Sequence, residues 1–464
     1  MKGVIKTVIV PGILLMLLMT GNSCRKFVTI PPPENQLVTS TVFADSADAT
    51  TAVLGIYINM METTGYNFPS GGITRFCGLA ADELYPNTGS ADDNEYFENA
   101  IPSTSNETSV FWTGAYQYVY QANACIAGLT ASTGLSNSCK NQLMGESLVV
   151  RAFLYFNMVN LWGPVLLVTS TDYKVNESMP RTSRDSVYQQ IIADLQMADS
   201  LMTAAYPSTG RLRPNQYTAA ALLAKVYLYL GQWANAGKAA SQVLSSGLYS
   251  LVPNLNNVFL PGSNETIWQL SPILQGYETP DGMNFVQFGV IPSYVITNNL
   301  LSAYEPGDQR FVDWLDSNEV NGTAYYFPYK YQLGYDGWPN GGPSEDYIVF
   351  RLGEQYLIRA EAEAETGDST DAIIDLNVIR SRAQLPNYNP VNQGGLLAAI
   401  QHERRIEMAY EWGNRWFDLK RTGTINNILG TVEMKPGWQA TDTLLPIPLG
   451  QIQSNPYLIQ NLGY

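Results

Sequence analysis

The 464-residue sequence predicts a mainly α-helical chain of paired helices with one loop-rich stretch set into it. Apolar residues recur at helical spacing through nine segments, two of which repeat one Ala- and Gly-based pattern across a short turn. Between Gly247 and Gly353, by contrast, the pattern changes to short strand-like runs.

In chain order, the first helix covers 46–62, opening at Ser46 and carrying Ala49, Val53, Ile56, Tyr57 and Met60 on one face. Helices follow over 109–129, 138–161, 184–203, 215–230 and 233–246. The second half adds 353–366, 369–383 and 395–412. Between them, about 247–352, Pro, Gly, Asn and aromatic residues alternate with short apolar runs. A stretch that long is expected to hold small elements and function.

Two helix pairs share a grammar. Residues 224–231 (AKVYLYLG) lead into Ala236, and 360–367 (AEAEAETG) lead into Ala372, with the same Gly-to-Ala offset. Small residues let two helices approach and Gly ends the first, so the pattern resembles a tetratricopeptide repeat; a plain bundle is the alternative. A degenerate third unit begins at Arg151 and ends at Pro164.

Ahead of the first helix, Lys2 and Lys6 precede an apolar run from Val8 to Met19 and then Cys24. The run is too short to span a bilayer but has the charged start and apolar middle of a secretory signal, and Cys24 suits lipidation after removal of 1–23. An ordinary secretory signal is the alternative. The expected organisation is a signal over 1–23, a lipidated tether over 24–36 with Pro31-Pro32-Pro33, and one domain over 37–464. Loss of Lys2 and Lys6 takes the formal charge from −15 to −17, which disfavours nucleic acid and anionic lipid surfaces. Membrane attachment would rest on the lipid anchor.

Chemistry that breaks bonds finds little in the sequence. One histidine, His402, and no close cysteine pair exclude the usual zinc sites and His-dependent triads, and no Gly-rich phosphate loop occurs. The carboxylate pairs Asp82/Glu83 and Asp92/Asp93 are adjacent residues, a poor geometry for glycoside hydrolysis. No catalytic residue, metal or cofactor is expected. Cys77, Cys125 and Cys139 are expected as buried free thiols; a Cys125–Cys139 pair across a helical corner is the alternative.

The densest motif is 403–421, in which Glu403, Glu407, Glu411 and Arg415 follow each other at i,i+4, with Arg404 and Arg405 beside them. It reads as a structural ion-pair network locking the last helix into its neighbours rather than as a carboxylate-binding cluster.

Taken with Ser23-Cys24, Asp82-Glu83, 151–156 (RAFLYF), 161–164 (LWGP), 415–421 (RWFDLKR) and the ending 445–464, this motif makes the chain resemble SusD/RagB-family outer-membrane lipoproteins of Bacteroidetes glycan-uptake systems. The resemblance implies a SusD-like α-α superhelix of four tetratricopeptide-like pairs, an oligosaccharide ligand, a SusC-like TonB-dependent barrel transporter as partner, and an outer-membrane location facing the exterior. It also implies ligand contact around Asp82. Trp and Arg, which often follow the Asp-Glu pair in starch binders, are absent here. Peptide or other nutrient binding with the same lid arrangement, or a pure assembly scaffold, are the other readings.

Ring density marks the ligand candidates. From Gln275 to Trp338, 14 of 64 residues are aromatic, about twice the chain average of 11%. Many sit beside Gly, Asn or Asp, suiting a flat floor for sugar C–H faces with polar walls for hydroxyls. Trp338 and Tyr335 lead, followed by Tyr325, Tyr277, Tyr96 and Tyr85; core or partner-interface packing is the alternative for each.

Overall fold

The computed structural model describes residues 39–63, 66–389, 392–432 and 435–464. Cys24, the signal segment and the 24–36 tether lie outside the described residues.

Helix α1, Ser46–Met61, starts where Asp45 accepts hydrogen bonds from the backbone N–H groups of Ala47 and Asp48, and it buries the five apolar positions read from its periodicity. Two short helices follow, α2 (Gly72–Ala80) and α3 (Ala91–Glu98). The long helices α4 (Asn106–Ala131) and α5 (Asn137–Trp162) come next, and α5 is buried on every side from Gly145 onward. Such a helix has no polar face for periodicity to detect; it is an interior strut.

From there the helices stack in sequence. α5 packs on α4 and on α6 (Arg184–Leu201), α6 on α7 (Gln216–Tyr229), and α7 on α8 (Trp233–Leu244). α8 then packs directly on α9 (Leu352–Thr366), across the whole intervening stretch, and α9 on α10 (Ser369–Arg382) and α11 (Gln393–Glu407). The small residues explain the close approach: a Cβ on Gly237 would sit 3.5 Å from Ala362 Cβ. Gly231 and Gly367, the repeated glycines, both take left-handed conformations (φ 65° and 92°) that reverse the chain between paired helices. The fold is therefore mainly helical, of tetratricopeptide-like pairs.

Between α8 and α9 the chain forms short helices and strands. β1 (Leu84–Pro86), which lies outside this stretch between α2 and α3, pairs antiparallel with β3 (Tyr294–Ile296), and β2 (Thr266–Leu270) with β6 (Tyr347–Arg351). β4 (Leu315–Val320) and β5 (Thr323–Pro328) form a hairpin whose Asn321-Gly322 turn has both φ values positive.

The structure corrects the expected helix over 395–412. α11 ends at Glu407, and the chain turns through Tyr410, Trp412 and Gly413, all at positive φ, before α12 (Asn414–Arg421). Distant groups hold this turn. Lys330 Nζ donates to the carbonyls of Glu407 and Ala409, both at 2.8 Å, and Trp412 Nε1 donates to Ile348 O at 2.7 Å.

The charge pairing changes accordingly. A locking network exists, but its partners come from far along the chain instead of one helical turn away. Arg310 meets Glu403 (2.6 Å), Glu407 (3.1 Å) and Asp308 (2.8 Å), while Arg351 meets Glu407 (2.5 Å) and Glu411 (2.7 Å). Arg382 bridges Glu265 and Glu407, and Lys330 reaches Glu411 at 2.6 Å. Arg404 pairs with Asp418 (3.1 Å), and Arg415 with Asp82 rather than Glu411. Burial opposes ionisation of Glu407, yet Arg382, Arg351 and Arg310 together hold its carboxyl well below the usual range. Cys77, Cys125 and Cys139 are free thiols, the first two buried. Among the described residues no helix is long and apolar enough to cross a membrane.

Candidate functional site

Strand alternation on β1 buries Leu84 and Pro86 and turns Tyr85 outward, 45% exposed. The ring is braced edge-on by Phe97, centroids 5.1 Å apart. On β5, Tyr325 is half-buried opposite Asn318, while its neighbour Tyr326 packs on Phe311. These two tyrosines, 240 positions apart in the chain, line one cavity of about 670 Å³. Asn87, Asn298, Asn299 and Thr431 supply polar wall, and apolar side chains including Val295 and Ile428 supply floor.

The wall at Asn299 is held from behind. Thr297 caps the turn Asn298–Leu301, its hydroxyl accepting from Leu300 N and donating to Asp82 O. Asn299 Nδ2 donates to Asp82 Oδ2 at 2.9 Å, which leaves the amide oxygen as a fixed acceptor. Asp82 also receives Arg415 Nε (2.6 Å) and Arg405 Nη2 (2.9 Å). Burial works against its ionisation, but the Arg415 hydrogen bond and the charges of Arg415 and Arg405 win and hold its carboxyl below the ordinary value. The adjacent Glu83 lacks such a clamp. Burial, and then the charge on Asp82, push it up to about 7.

Two expected ligand contacts are thereby corrected. Asp82 is 2% exposed and positions Asn299 instead of meeting a ligand. Tyr96 is 1% exposed, tilted against Phe76 (4.4 Å), its hydroxyl hydrogen-bonded to Thr108 at 3.1 Å. It belongs to the core because α3 presents it inward, beside Asp93 and Phe97.

Tyr277, Tyr335 and Trp338 form a second cluster. Tyr277 and Tyr335 pair as an isolated bridge with rings edge-to-face at 5.2 Å, and Trp338 Nε1 donates to Tyr277 O at 3.0 Å. Trp338 itself lies at φ 55°, its N–H held by Asp336 Oδ1 at 2.7 Å. Gly276 is required beneath Tyr335, since a Cβ there would lie 2.7 Å from that ring. Tyr335 is 67% exposed. None of the three lines the cavity of Tyr85 and Tyr325.

The cavity draws on two parts of the sequence that are each recognisable on their own. Residues 47–228, which include Tyr85, match a family described as "Starch-binding associating with outer membrane", and residues 313–464, which include Tyr325, match the "SusD family". The chain belongs to the SusD/RagB family.

A SusD-like protein of Formosa agariphila is 25% identical over 95% of this chain and 97% of its own length; a SusD-like protein of Bacteroides ovatus is 26% identical over 69% and 66%. Among solved structures, a SusD homolog from Bacteroides thetaiotaomicron superposes with a TM-score of 0.79 at 18% identity, covering 92% of this chain and 98% of that one. A laminarin binding SusD-like protein superposes with a TM-score of 0.76 at 24% identity, covering 90% and 99%. These likenesses establish the SusD fold over nearly the whole chain.

The sequence marks Tyr85 and Tyr325 as ligand candidates but not the cavity's amides. Asn87, Asn298, Asn299 and Thr431 carry no aromatic signal. The pair Asn298-Asn299 directly after the capping Thr297 was the one cue available, since such a turn exposes its first amides.

Proposed function

We propose that this SusD/RagB-family chain captures oligosaccharide in the Tyr85–Tyr325 cavity at the outer membrane and delivers it to a SusC-like TonB-dependent barrel, making and breaking no bond. One observation carries the reading: two rings 240 positions apart in the sequence converge on a cavity whose remaining wall is amide, hydroxyl and apolar. A sugar ring presents C–H faces and hydroxyl edges, and this lining matches both. The family description that names starch and the outer membrane, and the laminarin-binding relative of the same fold, agree with it. In this reading Cys24 carries the lipid that keeps the domain at the membrane, and the stacked helical pairs meet the barrel. Calorimetry of Tyr85→Ala and Tyr325→Ala against a glycan library tests the site. Undiminished binding in both variants would move it elsewhere. Cys24→Ala should release the protein to the soluble fraction, and co-purification with a co-expressed barrel tests the partner.

A further inference from the structure

We infer that the cavity is selective for uncharged oligosaccharides and rejects those carrying uronate or sulfate groups. The inference rests on the glycan reading above and narrows it to a substrate class.

Among the described residues, twelve line the cavity, and none of them is Asp, Glu, Lys, Arg or His. The polar ones are amides, hydroxyls and phenols, each able both to donate and to accept, as a sugar hydroxyl does. The other large groove, about 850 Å³ among α5, α7, α9 and α12, is lined by Arg184, Glu361, Glu365, Lys420 and Arg421, so concavities here do not avoid charge as a rule. Behind the cavity wall stand Asp82, Arg405 and Arg415, none of them a lining residue, with Arg415 in a two-pronged bond to Asp82 and Arg405 shared between Asp82 and the backbone of Asn299.

A carboxylate or sulfate entering this space would give up water without meeting a counter-charge, and a charged group so placed is strongly penalised. The formal charge of −15 adds a weak, salt-screened repulsion of the same sign. A neutral hydroxyl exchanges one hydrogen-bond partner for another and meets no such penalty.

The test is isothermal titration of the full-length mature protein with hexasaccharides in two groups. The neutral group comprises α-glucan, β-1,3-glucan, β-mannan and β-xylan; the acidic group comprises oligogalacturonate, alginate and sulfated galactan. Both are measured at 0.15 M and 1 M salt. At least one neutral hexasaccharide should bind at least a hundredfold more tightly than every acidic one at both salt concentrations, and Tyr85→Ala should weaken it. Asn87→Lys, which places a cation at the exposed rim, should raise affinity for oligogalacturonate at least tenfold at low salt and lose that gain at 1 M. An acidic hexasaccharide that binds within tenfold of the best neutral one, and is lost in Tyr85→Ala, would overturn the selectivity while leaving the glycan site intact. Absence of binding by every member of both groups would overturn the glycan reading itself and this inference with it.

Discussion

Two regions of this molecule, adjoining along β5 and its continuation to Lys330, treat charge in opposite ways. The seam, where Arg310, Lys330 and Arg351 meet Glu403, Glu407 and Glu411, is built of ionised groups almost wholly removed from water. The cavity, which Tyr325 lines, has no ionised group among the described residues of its wall. A buried charge is tolerated only when fully paired, and it then fixes the geometry of whatever it pairs. Binding a succession of different ligands calls for groups that remain acceptable unpaired, and water-exchangeable amides and rings meet that need. The seam therefore holds the loop-rich stretch on the helices, and in the proposed function the cavity is left to ligand.

The largest expected effect breaks the seam. Arg351→Met leaves Glu407 and Glu411 short of a partner in a dry interior, and removing one member of a buried pair costs about 3–5 kcal/mol. Against a total stability of about 5–15 kcal/mol for a typical domain, that should be a large fall in urea midpoint. Glu305→Ala, at the seam's edge where the carboxylate is 37% exposed, is the control and should cost less than about 1 kcal/mol. Equal losses in the two variants would show that burial does not set the strength of this network.

Next comes the cavity. Tyr85→Ala and Tyr325→Ala should each remove about 0.5–1.5 kcal/mol of stacking beyond the buried area, roughly three- to tenfold in affinity or more. Melting temperature should change little, because both rings lie at the edge of the core. A melt that falls together with affinity would reassign them to structure.

The contrast can also be sharpened by pH at Glu83. Its folded value, about 7, lies above the ordinary 4.5, so the proton is held more tightly in the folded state. Its contribution to stability is then full below about 4.5 and is lost as pH rises through about 7. Asp82 runs the other way: its depressed value contributes stability above its ordinary 3.8 that is lost in acid. Melting temperature should thus decline from pH 5 to pH 7.5 more steeply in the unmodified protein than in Glu83→Gln. Parallel curves would remove Glu83 from the account.

The helices were legible because their signals are local. Asp45, Ser136, Ser183 and Asn215 cap backbone N–H groups within three residues, and Gly231 and Gly367 end helices where the repeated pattern put them. The break after Glu407 was not legible, because Tyr410 and Trp412 are poor left-handed residues by propensity and groups remote in sequence, among them Lys330, Thr74, Ile348 and Glu83, hold them there. The same holds for the site. Ring density pointed to Tyr325, but an amide such as Asn299 becomes part of a wall only when Asp82, far upstream, turns it. Burial likewise separated Tyr96 from Tyr85, two tyrosines that composition alone treated alike.

The smallest expected effect concerns the second aromatic cluster, which belongs to neither region. Tyr335 is exposed, and its ring rests on the backbone of Gly276 rather than on a cavity wall. Trp338 is tied by its indole N–H to Tyr277 O and by its backbone to Asp336, so the platform is rigid before any ligand arrives. Rigid exposed rings contribute to binding only where a ligand is long enough to cross them. Tyr335→Ala should therefore leave disaccharide affinity unchanged and weaken a decasaccharide by about threefold or less, at the lower end of a single stacking contact. Titrating both lengths into the unmodified protein and the variant checks this. A Tyr335→Ala loss that is the same for both lengths and exceeds that of Tyr85→Ala would place the primary contact on this cluster, and the division between a charged seam and an uncharged cavity would then describe the fold without describing the binding site.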